Sequence, residues 1–269
     1  MKKAAYEQYS EQLRQKLTAD PRVLGLVALG SMAQQDYQPD EWSDHDFFVI
    51  TIHGVQEDMR QDLSWLPRAE EIIFHFKETE HGMKVLYADG HLLEFAILNE
   101  DELQVARLNR YRVLLDKVEL TSNLAELMLS TEDFVAQSRR SPNHCFAELL
   151  MNILVGVGRH ARGEYLSGRQ FIKTYALSHL LKFLREHDSA ENVQLLDNLD
   201  LLRRFELVFP GLGAEVNEIL EKESLTAAEE LLAMAVREFR PFLVEFPEAA
   251  VVQVQQAIVR AKQAEGEDL

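Results

Sequence analysis

Two aspartates separated by one residue, Asp44 and Asp46, open the apolar run Phe47-Phe48-Val49-Ile50. In a β-strand residues i and i+2 share a face, so these carboxylates are expected to project together. Like charges so placed repel unless a cation lies between them. Hard carboxylate oxygens suit Mg²⁺, which completes its shell with phosphates and water. Upstream, Gly30-Ser31 ends the continuous apolar run Val23–Leu29. Glycine there lets a backbone approach closely, and serine offers a hydroxyl and an N–H to a phosphate. A third carboxylate, Glu94, sits in the otherwise apolar segment Leu92–Leu98, where a charge is costly unless paired, metal-bound or open to a cleft. With its strand beside that of Asp44 and Asp46 the three converge, and Glu94 completes a metal site or accepts a proton from an attacking hydroxyl. A phosphate pocket beside a metal pair is the equipment of phosphoryl or nucleotidyl transfer. Each feature alone has a bland reading: a solvated turn, a common Gly-Ser, an ion-paired edge residue. Their conjunction in one order along the chain carries the functional reading.

The elements that must position these residues follow from the hydrophobic pattern. Residues 4–18 read as an amphipathic helix ended by Ala19-Asp20-Pro21. Val23–Leu29 reads as a strand buried on both faces and 44–52 as a second strand. A short helix over 56–67 and strands over 72–76, 83–87 and 92–98 follow, with the Asp89-Gly90 hairpin signal before the last strand. From about residue 122 the period is helical, with segments 142–161, 165–186, 193–208, 214–221, 226–246 and 248–264, and a capping-box pattern from Thr226 to Glu229. Gly156-x-Gly158 inside this pattern lacks a preceding strand and a third glycine, so it marks close helix packing rather than a dinucleotide site. The tail 266–269 is expected to fray. The fold class is α+β: a mixed sheet with flanking helices over residues 1–121, then an all-α helical bundle over 122–269.

Composition narrows the partners. The chain has 269 residues, 28 Lys+Arg against 45 Asp+Glu and a net charge of −17, spread evenly. A nucleic-acid surface needs Lys and Arg to displace counterions, so that partner is disfavoured. A cationic partner is permitted. One cysteine, Cys145, makes neither a disulfide framework nor a cysteine-rich zinc site. The polar N-terminus lacks an export-type apolar core and no run is long enough to span a bilayer, from which a cytoplasmic protein without a membrane partner is expected.

On Gly30-Ser31, Asp44-x-Asp46 and Glu94, the sequence resembles the DNA-polymerase-beta-type nucleotidyltransferase superfamily. It is most like the small antibiotic nucleotidyltransferases acting on lincosamides and aminoglycosides. Those pair a nucleotidyltransferase domain with a C-terminal helical bundle, and Arg162-Gly163-Glu164-Tyr165 also echoes them. The resemblance implies that Gly30 and Ser31, with Ser43, hold the triphosphate of an NTP, ATP first. It implies that Asp44 and Asp46 bind Mg²⁺ and that Glu94 is a third ligand or the general base. A hydroxyl of a small acceptor would attack the α-phosphorus and release pyrophosphate, an antibiotic-resistance activity. One departure stands out: Met32-Ala33-Gln34-Gln35-Asp36 after Gly-Ser supplies no cation. Lys117, Arg169 and Lys173 are the candidates to neutralise phosphate charge, against their reading as ordinary surface charges. Alternative readings are a protein- or tRNA-modifying relative of toxin or regulator type and a catalytically silent nucleotide-binding module. Relatives of this kind also make a homodimer plausible.

Overall fold

A computed structural model describes residues 3–35 and 37–267. The chain forms two compact units, one ending at Gln137 and the next beginning at Ser138. The first is a mixed six-stranded sheet with helices and the second is helical, as the α+β reading expects.

Helix α1 (Lys3–Ala19) buries Tyr6, Tyr9, Leu13 and Leu17, the stripe that a 3.6-residue period aligns. It is followed by β1 (Val23–Leu29), β2 (His45–Thr51), the short α2 (Gln56–Gln61) and the strands β3 (Ile72–Lys77), β4 (Gly82–Tyr87) and β5 (Leu92–Leu98). Then come α3 (Glu100–Leu103), β6 (Tyr111–Asp116) and α4 (Thr121–Ser138). The strand order is β3-β4-β5-β2-β1-β6, with β2 and β5 parallel and the other pairs antiparallel. Gly90, at φ +83°, makes the β4–β5 turn that Asp-Gly announced. One sheet face packs Phe47, Val49, Leu93, Phe95 and Ile97 with the α1 stripe, and the Phe47 and Phe95 rings stack at 5.0 Å. The other face packs Val27, Leu29, Ile50 and Leu98 under Leu103, Leu124 and Leu127.

The sequence pattern gave no hint of β6. Its residues are half-buried up to Leu115, and its pairing with β1 shifts register between Leu26 and Val27, so neither face alternates cleanly. The expected helix over 56–67 stops at Gln61. Helix α3 carries a capping box, with Glu102 N–H donating to the Asn99 side chain and Asn99 N–H to the Glu102 carboxylate.

The second unit contains α5 (Pro142–Ala161), α6 (Tyr165–Gln170), a π-helical turn Phe171–Ala176, α7 (Leu177–His187), α8 (Phe205–Val208), α9 (Pro210–Glu221), α10 (Ser224–Phe239) and α11 (Glu248–Glu267). Three expectations are corrected. The segment 193–208 is not one helix: it has a 3₁₀ turn at 193–195 and then α8. The Asp197 and Asp200 side chains accept the backbone N–H groups of Leu199, Leu202 and Arg203, competing with helical bonding. Helix α10 stops at Phe239, ahead of Pro241, rather than at 246. Its start has no side-chain cap, so the Thr226–Glu229 capping box does not form. Helix α11 continues through Gly266 and Glu267. Asp268 and Leu269 lie outside the described residues, as do Met1, Lys2 and Asp36. No helix among the described residues is long and apolar enough to cross a membrane.

The two glycines of α5 differ. A Cβ on Gly156 would lie 2.7 Å from Ile172 Cγ1 and 3.0 Å from the Gly168 carbonyl, whereas one on Gly158 meets nothing nearer than Arg162 Nη1 at 3.7 Å. Only Gly156 therefore serves close packing. The Gly156→Ala variant is expected to destabilise the helical unit by about 1–3 kcal/mol through overpacking. Gly158→Ala should leave it unchanged or slightly steadier, since alanine favours helix. Denaturant midpoints of the two variants check this contrast.

Candidate functional site

Asp46 and Glu94 are direct partners in the parallel β2–β5 register, and Glu94 is in turn opposite Lys84 on β4. Directly opposed residues share a sheet face, so Lys84, Glu94 and Asp46 form one row across three strands. Asp44 lies one residue ahead of β2. Its carboxylate has no hydrogen bond or ion pair with other described residues, while its carbonyl accepts the Tyr6 hydroxyl at 2.8 Å. Gly30, at φ +47°, closes on the same row: a Cβ there would meet Asp46 Oδ2 at 3.3 Å and would also be strained in that left-handed conformation. The Gly-Ser turn and the strand carrying Asp46 are thus in contact, as the sequence spacing suggested.

His45, between the two aspartates, points to the other face and is fully buried. It belongs to a chain of polar groups under the site. His45 Nε2 lies 3.1 Å from the Tyr6 carbonyl and 3.0 Å from Ser10 Oγ, and His45 Nδ1 lies 2.8 Å from His91 Nε2. A carbonyl only accepts, so Nε2 of His45 carries the proton, its Nδ1 accepts, and His91 donates from Nε2. That leaves His91 Nδ1 buried without a partner, as observed. Both rings are therefore neutral. Burial pushes the His45 imidazole down to about 3, helped by the charge of His91, and burial likewise pushes His91 down to about 4. The Tyr6 ring stacks on His45 at 3.7 Å, and its hydroxyl reaches Asp44 and lies 3.5 Å from Ser31 Oγ. Burial also raises the Tyr6 phenol well above its ordinary value, so it stays a hydrogen-bond donor. The Ser31 side chain is itself buried and faces Tyr6.

Two of the cations named from the sequence hold backbone carbonyls of their own units. Lys173 donates to the carbonyls of Leu220, at 2.7 Å, and Lys222 within the helical unit. Burial lowers its pKa, with Arg169 nearby adding to the effect. Lys117 donates to the Leu17 and Asp20 carbonyls at the end of α1. Ser43 is engaged with Asp40, accepting from its N–H at 3.0 Å and donating to its carboxylate at 3.1 Å. The turn after Gly-Ser instead meets Arg112 of β6, which donates to the Met32 carbonyl at 3.1 Å and to Gln34 Oε1 at 3.4 Å. Lys84 lies 3.2 Å from Glu94 Oε2 and 2.7 Å from Glu78 Oε1. These acid partners raise its pKa, Glu78 foremost. Arg112 was hidden because its strand was not recognised. Lys84 was legible only as a polar residue in an apolar strand. Pairs this exposed are worth about 0.2–1 kcal/mol.

Among the described residues no group of three His, Cys, Asp or Glu is placed to hold a metal ion. Asp44 and Asp46 nevertheless fit a magnesium ion that draws its remaining ligands from phosphate and water. The oxygen donors are right in kind, and glycine keeps space beside Asp46. The arrangement does not fit a cage built wholly from protein. A separate cavity of about 340 Å³, lined by Glu100, Leu103, Gln104, Asn123 and Glu126 among others, sits between α3 and α4. It adjoins the far ends of β2 and β5 from Asp46 and Glu94.

Fold and site together define an α+β protein whose Gly-Ser turn abuts an acidic row at the start of a parallel strand pair. No protein-family model matches the chain, and no curated protein does. Among solved structures the chain is similar to an aminoglycoside 6-adenyltransferase from Bacillus subtilis, at 13% identity and a TM-score of 0.31 over 97% of each chain. It is also similar to a chain of the E. coli MS115-1 CdnC:HORMA-deltaN complex, at 11% identity and a TM-score of 0.30, over 96% of this chain and 90% of that one.

Proposed function

We propose that the protein is a magnesium-dependent nucleotidyltransferase that moves a nucleoside monophosphate, AMP first, from an NTP to a hydroxyl of a small molecule. The observation that carries this reading is the Asp46–Glu94 register beside Gly30. Asp44 and Asp46 would hold Mg²⁺, and Gly30 lets the triphosphate approach the turn. Bound metal supplies Lewis-acid polarisation of the phosphoryl oxygens. The acceptor oxygen bonds to the α-phosphorus, the bond to the β-phosphate bridging oxygen breaks, and pyrophosphate leaves. Glu94 takes the hydroxyl proton or passes it to water. The acceptor class, aminoglycoside or lincosamide, rests on the sequence resemblance and on a net charge of −17 that concentrates amines. A homodimer and a cytoplasmic location belong to the same proposal.

Titration of ATP and GTP analogues with and without Mg²⁺ tests the site. Two tryptophans suit the readout, since Trp42, two residues before Asp44, is 88% exposed and Trp65 is buried. Mg²⁺-dependent binding lost in Asp44→Asn/Asp46→Asn, followed by pyrophosphate release on an antibiotic panel, is the expected result. Binding without turnover on any small-molecule, protein or tRNA acceptor would favour the silent module. Absence of any nucleotide binding with every acceptor class present would sink the reading.

A further inference from the structure

We infer that Lys84 is a latch on Glu94: its ammonium holds that carboxylate in the free protein and gives it up to a divalent cation bound beside Asp46. This rests on the nucleotidyltransferase reading above. Glu94 stands in register between a lysine on β4 and an aspartate on β2. On one side it has a monovalent cation at 3.2 Å, and on the other the like charge of Asp46, beside which a divalent cation would draw in both carboxylates. The same ammonium is also 2.7 Å from Glu78 Oε1. When Glu94 leaves, Lys84 keeps Glu78, so neither the lysine nor the departing carboxylate is left uncompensated. Lys84 and Glu94 both reach solvent, so the exchange needs no buried charge to be exposed. Glu94 thus becomes a third protein ligand only as the metal arrives.

Lys84 is a positioning residue in this scheme, and the test reads metal affinity directly. Mn²⁺ alone is titrated into the full chain and free Mn²⁺ is followed by electron paramagnetic resonance. Lys84→Met keeps the stem and removes the charge, and should tighten Mn²⁺ binding about two- to fivefold. Lys84→Arg should stay near wild type. The gain should vanish in Lys84→Met/Glu94→Gln, because it is Glu94 that the latch restrains. Unchanged affinity in Lys84→Met overturns the latch, and so does a gain that persists in the double variant, which would mark a general field effect. Wild-type Mn²⁺ binding insensitive to Asp46→Asn would instead overturn the underlying reading of the site, a result distinguishable from failure of the latch alone.

Discussion

On the nucleotidyltransferase reading proposed above, the Asp46→Asn variant is expected to lose about a thousandfold in nucleotidyl transfer, equivalent to about 4 kcal/mol of transition-state stabilisation, because it would remove a ligand of the Lewis acid. Its stability should hold. Asp46 directly opposes Glu94, and like charges so paired cost up to about 1 kcal/mol, so the substitution removes a repulsion from the folded state. The neighbouring residue behaves in the opposite way. Phe47 is fully buried and stacked on Phe95 at 5.0 Å, and Phe47→Ala should cost about 3–5 kcal/mol. On that reading adjacent positions of one strand would divide chemistry from packing, since successive side chains take opposite faces. Steady-state pyrophosphate release and a denaturation curve on both variants check the division. An Asp46→Asn protein with near-wild-type turnover would remove Asp46 from the chemistry.

How much of this was legible in the sequence differs by element. The strands 23–29 and 92–98 and the helix 142–161 were readable because their pattern is uninterrupted and their ends are marked by glycine, proline or a capping serine. Glu94 was traceable to Asp46 because a lone charge in an apolar strand asks for a partner, and the parallel register supplied it. Strand β6 was not legible: all but its last residue are half-buried, and its bulged pairing with β1 erases the period. Arg112 disappeared with it. Lys84 could be read only as a polar residue in an apolar strand, since its pairing with Glu94 comes from a cross-strand register that no local spacing encodes. The helix expected over 193–208 failed because Asp197 and Asp200 bond their own backbone, an outcome that apolar periodicity does not register.

The N-terminal unit should lose stability as pH falls from about 6.5 toward 4. His45 and His91 have folded pKa values near 3 and 4, both lowered by burial, against about 6.5 in the unfolded chain. Between those limits the unfolded state binds protons that the folded state refuses, so stability rises with pH there. The contribution is complete above about pH 6.5 and is lost progressively as pH falls toward 4. Each ring contributes at most about 1.4 kcal/mol per pH unit, and the pair on the order of 5 kcal/mol in all once their mutual repulsion is allowed for. Denaturation followed by Trp65, buried in the same unit, should show a steep slope between pH 6.5 and 4.5. His91→Phe should flatten it, at the constant expense of one hydrogen bond to His45. An identical slope in both proteins would show that the pair does not govern acid stability. The consequence reaches the site, because the His45–Tyr6 stack holds the hydroxyl that meets Asp44 and Ser31. Acid unfolding driven by the histidines therefore takes the aspartates and the Gly-Ser turn with it.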